Sequence, residues 1–350
     1  MTEPLAPKRL LVVRLDRIGD VVLTTPALSA LRQHFPHAFI AMMVRPPCLE
    51  LVQGHPHLNE VIEYDKDGLH HGVAATIRFA RRLQRYAFDT ALILHPTNRS
   101  HWIPWLARIP VRIGYDRKCA WLLTHRLPHR KQEGAKHEAA YTLEPLALFG
   151  ITPPPPQPLI PVHDAAVRRV GQLLAQAGVS PEALLVAMHP SASCISKRWM
   201  PERFAQVADR LIAERGASVC LVAGADDAPV AQRVAEAMQR PVVNLAGQLS
   251  VGELAALLAR CRLLVSNDSG PVHIAAAVGT PVVDIFGRNQ RGLSPLRWGP
   301  LGAGHIILHK EVGCVTCLAH NCDIEFLCLT SLETEEVYQA AATILTRRAN

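Results

Sequence analysis

Short apolar runs recur along the chain, separated by longer stretches whose apolar residues fall at helical spacing. Lys8–Leu15, Phe39–Val44, Val61–Tyr64 and Thr90–Leu94 read as buried strands. A second series comprises Leu184–Met188, Val219–Ala223, Val242–Leu245, Leu263–Val265, Val282–Phe286 and Ile306–Leu308. Val21–Phe35, Ala74–Tyr86 and Ala165–Ala177 carry helical spacing, with Arg78, Arg81, Arg82 and Arg85 on a solvated side of the second. Such alternation predicts parallel sheets covered by helices on both faces. Thr152–Pro158, TPPPPQP, interrupts it, because four consecutive prolines continue neither a helix nor a central strand and act as a stiff spacer. The pattern therefore predicts two Rossmann-like α/β domains with a cleft between them, residues 1–151 and 159–330, joined by 152–158. A final amphipathic helix, Ser331–Arg348 within 331–350, has a Ser/Thr-x-x-Glu start at Thr330 or Ser331 and a basic end.

Ligands in such sheets gather at the carboxyl ends of the strands, and three polar turns lie there. In VSNDSGPVHIAAAVGTPVVDIFG, the turn Ser266–Gly270 leads from a strand into a short helix read as Pro271–Val278. A helix start offers unpaired N–H groups and a positive dipole end, which suit phosphate. Asp268 serves there either as a plain helix cap or as a partner of a ribose hydroxyl. Ser269 and Gly270 let the backbone approach an anion, and His273 sits one turn into the helix. The second turn, HPSASCISKRWMP at His189–Pro201, combines Ser191, Ser193, Ser196 and Lys197, a set that spreads donors over several oxygens of a pyrophosphate. A polar loop with a surface lysine is the plainer reading of the same residues. In the third turn, Asp16–Asp20, Gly19 permits a tight turn and Asp20 is either a helix cap or a general base.

Composition narrows the classes. A chain of 350 residues, nearly half of them apolar, accommodates two cores. No apolar run reaches the roughly 18 residues of a membrane span, and MTEPLAPKRLLVVRLD lacks a signal-peptide pattern, so a cytoplasmic location is expected. The nine scattered cysteines do not resemble a secreted disulfide framework. Residues 1–150 hold 20 Lys and Arg against 13 Asp and Glu, while 151–350 hold 17 of each, so the whole excess of +7 lies in the first part. With few aromatic residues and no nucleic-acid motif, an anionic membrane face or an acidic substrate fits that excess better than nucleic acid. The absence of GxGxxG argues against a dinucleotide oxidoreductase.

Residue by residue, RLDRIGDVVLTTPALSALRQHFPHAFI, HPSASCISKRWMPERFAQVADRL and NDSGPVHIAAAVGTPVVDIFG, in this order and spacing, resemble the heptosyltransferases of glycosyltransferase family 9. Lesser matches are Gly134–Gly150, with His137, and the turn Ala223–Asp227. The resemblance implies a GT-B fold and inverting, metal-independent transfer of heptose from ADP-heptose to the lipopolysaccharide inner core, at the inner face of the cytoplasmic membrane. It implies Asp20 as general base and Ser191, Lys197, Ser269 and Gly270 around the diphosphate. Asp226 and Asp268 would lie by sugar hydroxyls with His273 nearby, and Arg99 of HPTNRS, with Gly19, would stand on the acceptor side. The middle loop lacks the acids that some members carry before the lysine.

Cys314, Cys317, Cys322 and Cys328 have ligand-like spacing, so a small structural zinc, and behind it an Fe–S site, is an alternative to idle cytosolic thiols. Such a metal would staple a loop and take no part in transfer. The isolated Cys48, Cys119, Cys194, Cys220 and Cys261 suit core packing. Competing functional readings are another nucleotide sugar or acceptor, a catalytically silent binding relative, and a GT-B epimerase.

Overall fold

The computed structural model describes residues 3–314 and 316–347. Residues 1–2 and 348–350, at the ends of the expected outer segments, lie outside them, and so does the helix end expected at Arg348. The chain folds as two compact units. One contains the residues up to Gln132 together with Lys136–Pro161, and the other contains Glu133–Ala135 and the chain from Val162 onward. Thr152–Pro158 has no regular structure and belongs to the first unit. Just beyond it, Leu159 N donates to Thr25 Oγ1 at 2.9 Å.

The first unit is built on a parallel sheet of six strands: β1 (Arg9–Val13), β2 (Phe39–Val44), β3 (Glu60–Glu63), β4 (Thr90–Ile93), β5 (Val111–Tyr115) and β6 (His125–Leu127). Their order is β3-β2-β1-β4-β5-β6. Residues 10–13 of β1 and all of β4 are buried, which is why these strands read as unbroken apolar runs. The last two strands have no such run. β5 is interrupted by Arg112, and β6 is the edge tripeptide His-Arg-Leu.

The single helix expected over Val21–Phe35 is two helices, Ile18–Val22 and Thr25–His34. Pro26 lacks an N–H, so the carbonyl of Val22 needs another donor, and Thr25 Oγ1 supplies it at 2.8 Å. Thr24 Oγ1 similarly donates to Asp20 O at 2.8 Å.

The second unit repeats the plan with β7 (Leu185–His189), β8 (Ser218–Leu221), β9 (Val243–Asn244), β10 (Leu263–Asn267), β11 (Val282–Phe286) and β12 (Ile306–His309). The order is β12-β11-β10-β7-β8-β9, again all parallel. Counted from its own first strand, each sheet has the doubly wound order 3-2-1-4-5-6. The chain changes direction across each sheet between the first and fourth strands, at β1/β4 and at β7/β10. There the loops part and leave a crevice at the strand ends.

The final helix, Thr334–Arg347, starts later than expected. The hydroxyls of Thr330 and Ser331 bond back to Phe326 O and Leu327 O, so the cap is formed by Glu333 N donating to Glu336 Oε2 at 3.0 Å. This helix lays Val337, Ala341 and Ile344 into the core of the second unit beside Trp199, Phe204 and Leu211. No helix among the described residues is long and apolar enough to cross a membrane.

Trp199 is fully buried, stacks edge-on with Phe204, and donates from Nε1 to Leu332 O at 3.0 Å. Trp199→Ala is expected to cost about 3–5 kcal/mol, read as a lower urea midpoint. A midpoint unchanged from the parent would show that this ring does not tie the final helix to the sheet.

Candidate functional site

At the β1/β4 switch point the first polar residue is Arg14, one residue beyond β1 and 1 % exposed. Its guanidinium is surrounded by acceptors. Nε donates to Asp16 Oδ1 at 2.9 Å, Nη2 to Asp20 Oδ1 at 2.5 Å and to Glu138 Oε1 at 3.4 Å, and Nη1 to Leu94 O at 3.2 Å. Lys131 Nζ reaches the same Glu138 oxygen at 2.7 Å. Burial works against the charge of Arg14, but Asp16, Asp20 and Glu138 outweigh it and hold the guanidinium above its ordinary value. Burial also pushes the Asp16 carboxyl up to about 7, opposed by Arg14 and reinforced by Asp20 and Glu138. His95, in the loop after β4, is lowered to about 4 by burial and then by Arg14 and Lys131, and its Nδ1 is buried without a hydrogen-bond partner.

Several expectations meet this cluster. Asp20 is in it, at the third position of the helix Ile18–Val22. Gly19 is not a turn glycine: it lies buried inside that helix, and its carbonyl accepts from Leu23 N at 2.9 Å. Arg99 makes its contacts elsewhere, donating to Lys66 O at 3.3 Å and lying 6.0 Å from the ring centre of Tyr64. Asp16, Lys131 and Glu138 were not singled out from the sequence. The local signal for Glu138 was an acid in a first helical turn, and only the fold shows that it reaches Arg14.

The β7/β10 switch point holds a second set. His189 ends β7, and burial lowers it to about 4, so the ring is neutral. Its Nε2 meets Ser191 Oγ at 3.0 Å and its Nδ1 meets Ser269 Oγ at 3.1 Å. Ser191 is fully buried. Ser269 precedes the helix Gly270–Ala277 without capping it, because its hydroxyl is committed to His189. Asp268 does not cap that helix either. Its Oδ2 pairs with Lys197 Nζ at 2.6 Å, and both side chains are nearly enclosed. Burial raises the Asp268 carboxyl, while Lys197 and, more weakly, Arg288 pull it back. His273 is buried in the first turns of the same helix.

Two loops close around this pair. Asn267 fixes the loop after β7, donating from Nδ2 to Pro190 O at 2.7 Å and accepting from Trp199 N at 3.1 Å. Arg198 joins that loop to the turn after β8, donating to Ala192 O at 2.7 Å and pairing with Asp227 at 3.1 Å. Asp226, in the same turn, is exposed. Arg288, just past β11, was missed by sequence reasoning. Its guanidinium donates to Cys194 Sγ at 3.0 Å and Ser196 Oγ at 3.4 Å, and no carboxylate among the described residues lies within ion-pair distance of it. Asp284 of β11 is fully buried with both carboxyl oxygens unpartnered; burial and nearby Asp268 hold it well above the usual carboxylate range.

The zinc reading of the cysteine quartet gains no support, although burial and then the nearby Cys314, Cys322 and Cys317 push the Cys328 thiol up to about 11. Among the described residues no group of three His, Cys, Asp or Glu side chains is placed to hold an ion. Cys328 packs into the core beside Leu329 and Leu332, whereas Cys314, Cys317 and Cys322 stay half-buried in the loop. The Cys322 sulfur accepts from Phe326 N at 3.1 Å, and polar side chains of 289–290 hold the loop backbone.

The profile of glycosyltransferase family 9 (heptosyltransferase) matches residues 76–327. Lipooligosaccharide heptosyltransferase 2 of Haemophilus ducreyi is 28% identical over 304 residues, 82% of this chain and 85% of the relative. Lipopolysaccharide heptosyltransferase 3 of Escherichia coli is 30% identical over 287 residues, 77% of this chain and 80% of the relative. Among solved structures, a family 9 glycosyl transferase from Veillonella parvula superposes with a TM-score of 0.86 at 26% identity, covering 97% of this chain and 98% of that one. The Escherichia coli heptosyltransferase WaaC with ADP superposes at 0.71 and 20% identity, covering 96% of this chain and 99% of that one. The expected α/β architecture of GT-B type is borne out.

Asp16 gives a pH test of the buried cluster. Its unfolded carboxyl titrates near 4 and its folded one at about 7. The folded state therefore binds the extra proton in between, so this group's stabilisation is complete below about pH 4 and lost as pH rises through about 7. Asp16→Asn should flatten that decline, by at most about 4 kcal/mol between the two limits, as measured by urea midpoints across the range. A parental slope in the variant would remove Asp16 as its source.

Proposed function

The chain belongs to glycosyltransferase family 9, and from that membership we propose that it transfers heptose from ADP-heptose to the inner core of lipopolysaccharide, with inversion and without a metal. The relatives' names support the acceptor class and the ADP bound to WaaC supports the donor. The observation that carries the donor reading is the β7/β10 crevice. A helix start, Lys197 and Arg288 stand together there at the ends of parallel strands.

Asp20 is the general base in this reading. Arg14 fixes its carboxylate, which takes the proton of the acceptor hydroxyl as that oxygen attacks the anomeric carbon. The anomeric carbon–oxygen bond breaks on the opposite face, and ADP leaves with the electron pair. Its growing negative charge is met by Lys197, Arg288 and the N–H groups at Gly270, already in place before the bond breaks. Ser191 supports the loop through His189, Asp268 orients Lys197, Asp226 is a candidate for ribose or heptose hydroxyls, and Arg99 for an acidic group of the acceptor. Work on a lipid-borne acceptor places the protein in the cytoplasm, in peripheral contact with the inner membrane face.

Thermal-shift binding against ADP, ADP-heptose, UDP-glucose and GDP-mannose tests the donor: ADP and ADP-heptose should alone raise the melting temperature. A larger shift with a UDP or GDP sugar would replace the donor, and no shift with any would favour a silent relative. Asp20→Asn should lower kcat by about 100-fold or more while ADP binding persists. Retained turnover there, with loss in Asp16→Asn, would move the base to Asp16. Arg288→Ala should weaken ADP about tenfold and leave adenosine binding unchanged; equal weakening of both would give Arg288 a structural role only.

A further inference from the structure

The helix Asn98–Leu106 begins directly after the turn that carries His95, at the carboxyl end of β4. A capping box between Thr97 and Ser100 starts it. Three of the chain's five tryptophans lie on it and on the short turn Ala120–Leu122 beside it. The ring of Trp102 is edge-on to Trp105 at 5.3 Å and to Trp121 at 6.0 Å. Trp102 is half-buried, but Trp105 is 41% exposed and Trp121 61%. Water-exposed indoles held in one cluster are costly unless something apolar covers them.

Charge identifies the cover. Residues 98–130 hold seven Lys and Arg against the single acid Asp116, a surplus of six beside the chain's net +7. Arg108, Arg117, Lys118, Arg126 and Arg130 are exposed. These residues adjoin the tryptophans: the backbone N of Arg108 donates to Trp105 O at 2.9 Å, Arg126 Nη2 reaches Trp121 O at 3.4 Å, and Arg117 and Lys118 precede the Trp121 turn. Indoles settle at the level of lipid headgroups, and each cation near an anionic leaflet adds attraction. A protein partner would need acids matched to these positions, whereas a bilayer needs only surface charge and an interface for indole.

We propose that Trp105 and Trp121, with the cations around them, are the docking surface of this protein on an anionic phospholipid bilayer. This rests on the reading that its acceptor is lipid-borne, and it gives that acceptor a route to the β1/β4 crevice, since the docking helix starts at the crevice's own loop. The surface binds phospholipid as such, not the acceptor's phosphates.

Flotation of the full chain with vesicles of phosphatidylcholine, or of equal parts phosphatidylcholine and phosphatidylglycerol, tests this. The parent should float with the mixed vesicles at low salt and be released by high salt. Brominated lipid should quench its tryptophan emission. Trp105→Ala/Trp121→Ala should lose the quenching and bind at least tenfold more weakly, and Arg117→Glu/Lys118→Glu should lose the anionic preference. Both variants should keep parental turnover on a delipidated, water-soluble core acceptor, which also shows that they fold. No binding by the parent, undiminished binding by both variants, or a parental dimer that the Trp105→Ala/Trp121→Ala change turns into monomer without any vesicle effect would each overturn the docking surface. Failure of transfer by every protein, with vesicle binding intact, would overturn the functional reading and leave the surface standing.

Discussion

A guanidinium buried at the end of a central strand is stable only if carboxylates come to it. Arg14 is that group, and much of the first unit's polar architecture follows from it. The turn after β1 delivers Asp16, and the helix that follows delivers Asp20. A chain segment more than a hundred residues later delivers Glu138, which Lys131 also grips. A parallel sheet makes the demand acute, because both faces of β1 are covered and the first place a charge can sit is the strand end. The cost of dehydrating the charge is offset only by near-complete coordination, so Asp20 is held in one position. That fixed position suits the role of base proposed for it.

The second unit meets the same constraint with opposite emphasis. There the buried acid Asp268 is balanced by Lys197, which leaves the pair without net charge. Burial holds Asp284 well above the usual carboxylate range. Arg198 is matched by Asp227. Arg288, resting on a thiol and a hydroxyl, therefore carries the uncompensated positive charge of the crevice. A diphosphate brings at least two negative charges, and a lysine already paired meets them only in part. A cation held by neutral partners can turn to an anion without stripping another carboxylate of its counter-charge.

What the sequence disclosed depended on whether the signal was local. Ten of the twelve strands read directly, and in most of them burial makes the run apolar without interruption, as in Phe39–Val44 and Val282–Phe286, which match residue for residue. The edge strand His125–Leu127 has little burial and gave no pattern. The turns at Asp20, Lys197 and Asp268 were legible because chemistry and chain punctuation coincide there. Glu138, Lys131 and Arg288 were not, since each acts through a partner distant in sequence and looks like an ordinary surface charge alone. The cysteine quartet shows the limit of spacing as a signal: Cys328 packs into the core with the other three thiols near it, and no ligand group is placed among the described residues.

The placement of charge also separates two jobs that composition had merged. An excess of +7 in residues 1–150 suggested an attraction for acidic acceptor and membrane alike. The crevice at β1/β4, however, sets two cations, Arg14 and Lys131, against three carboxyl groups, Asp16, Asp20 and Glu138. Its interior therefore has no positive surplus with which to draw in an anion. The surplus stands outside, on 98–130, among exposed indoles. A base should not be flooded by a field that would hold its proton off, and a surface anchor need not be near the reacting atoms. Dividing the charge in this way lets Arg14 hold one carboxylate in place while long-range attraction is left to residues that touch nothing in the crevice.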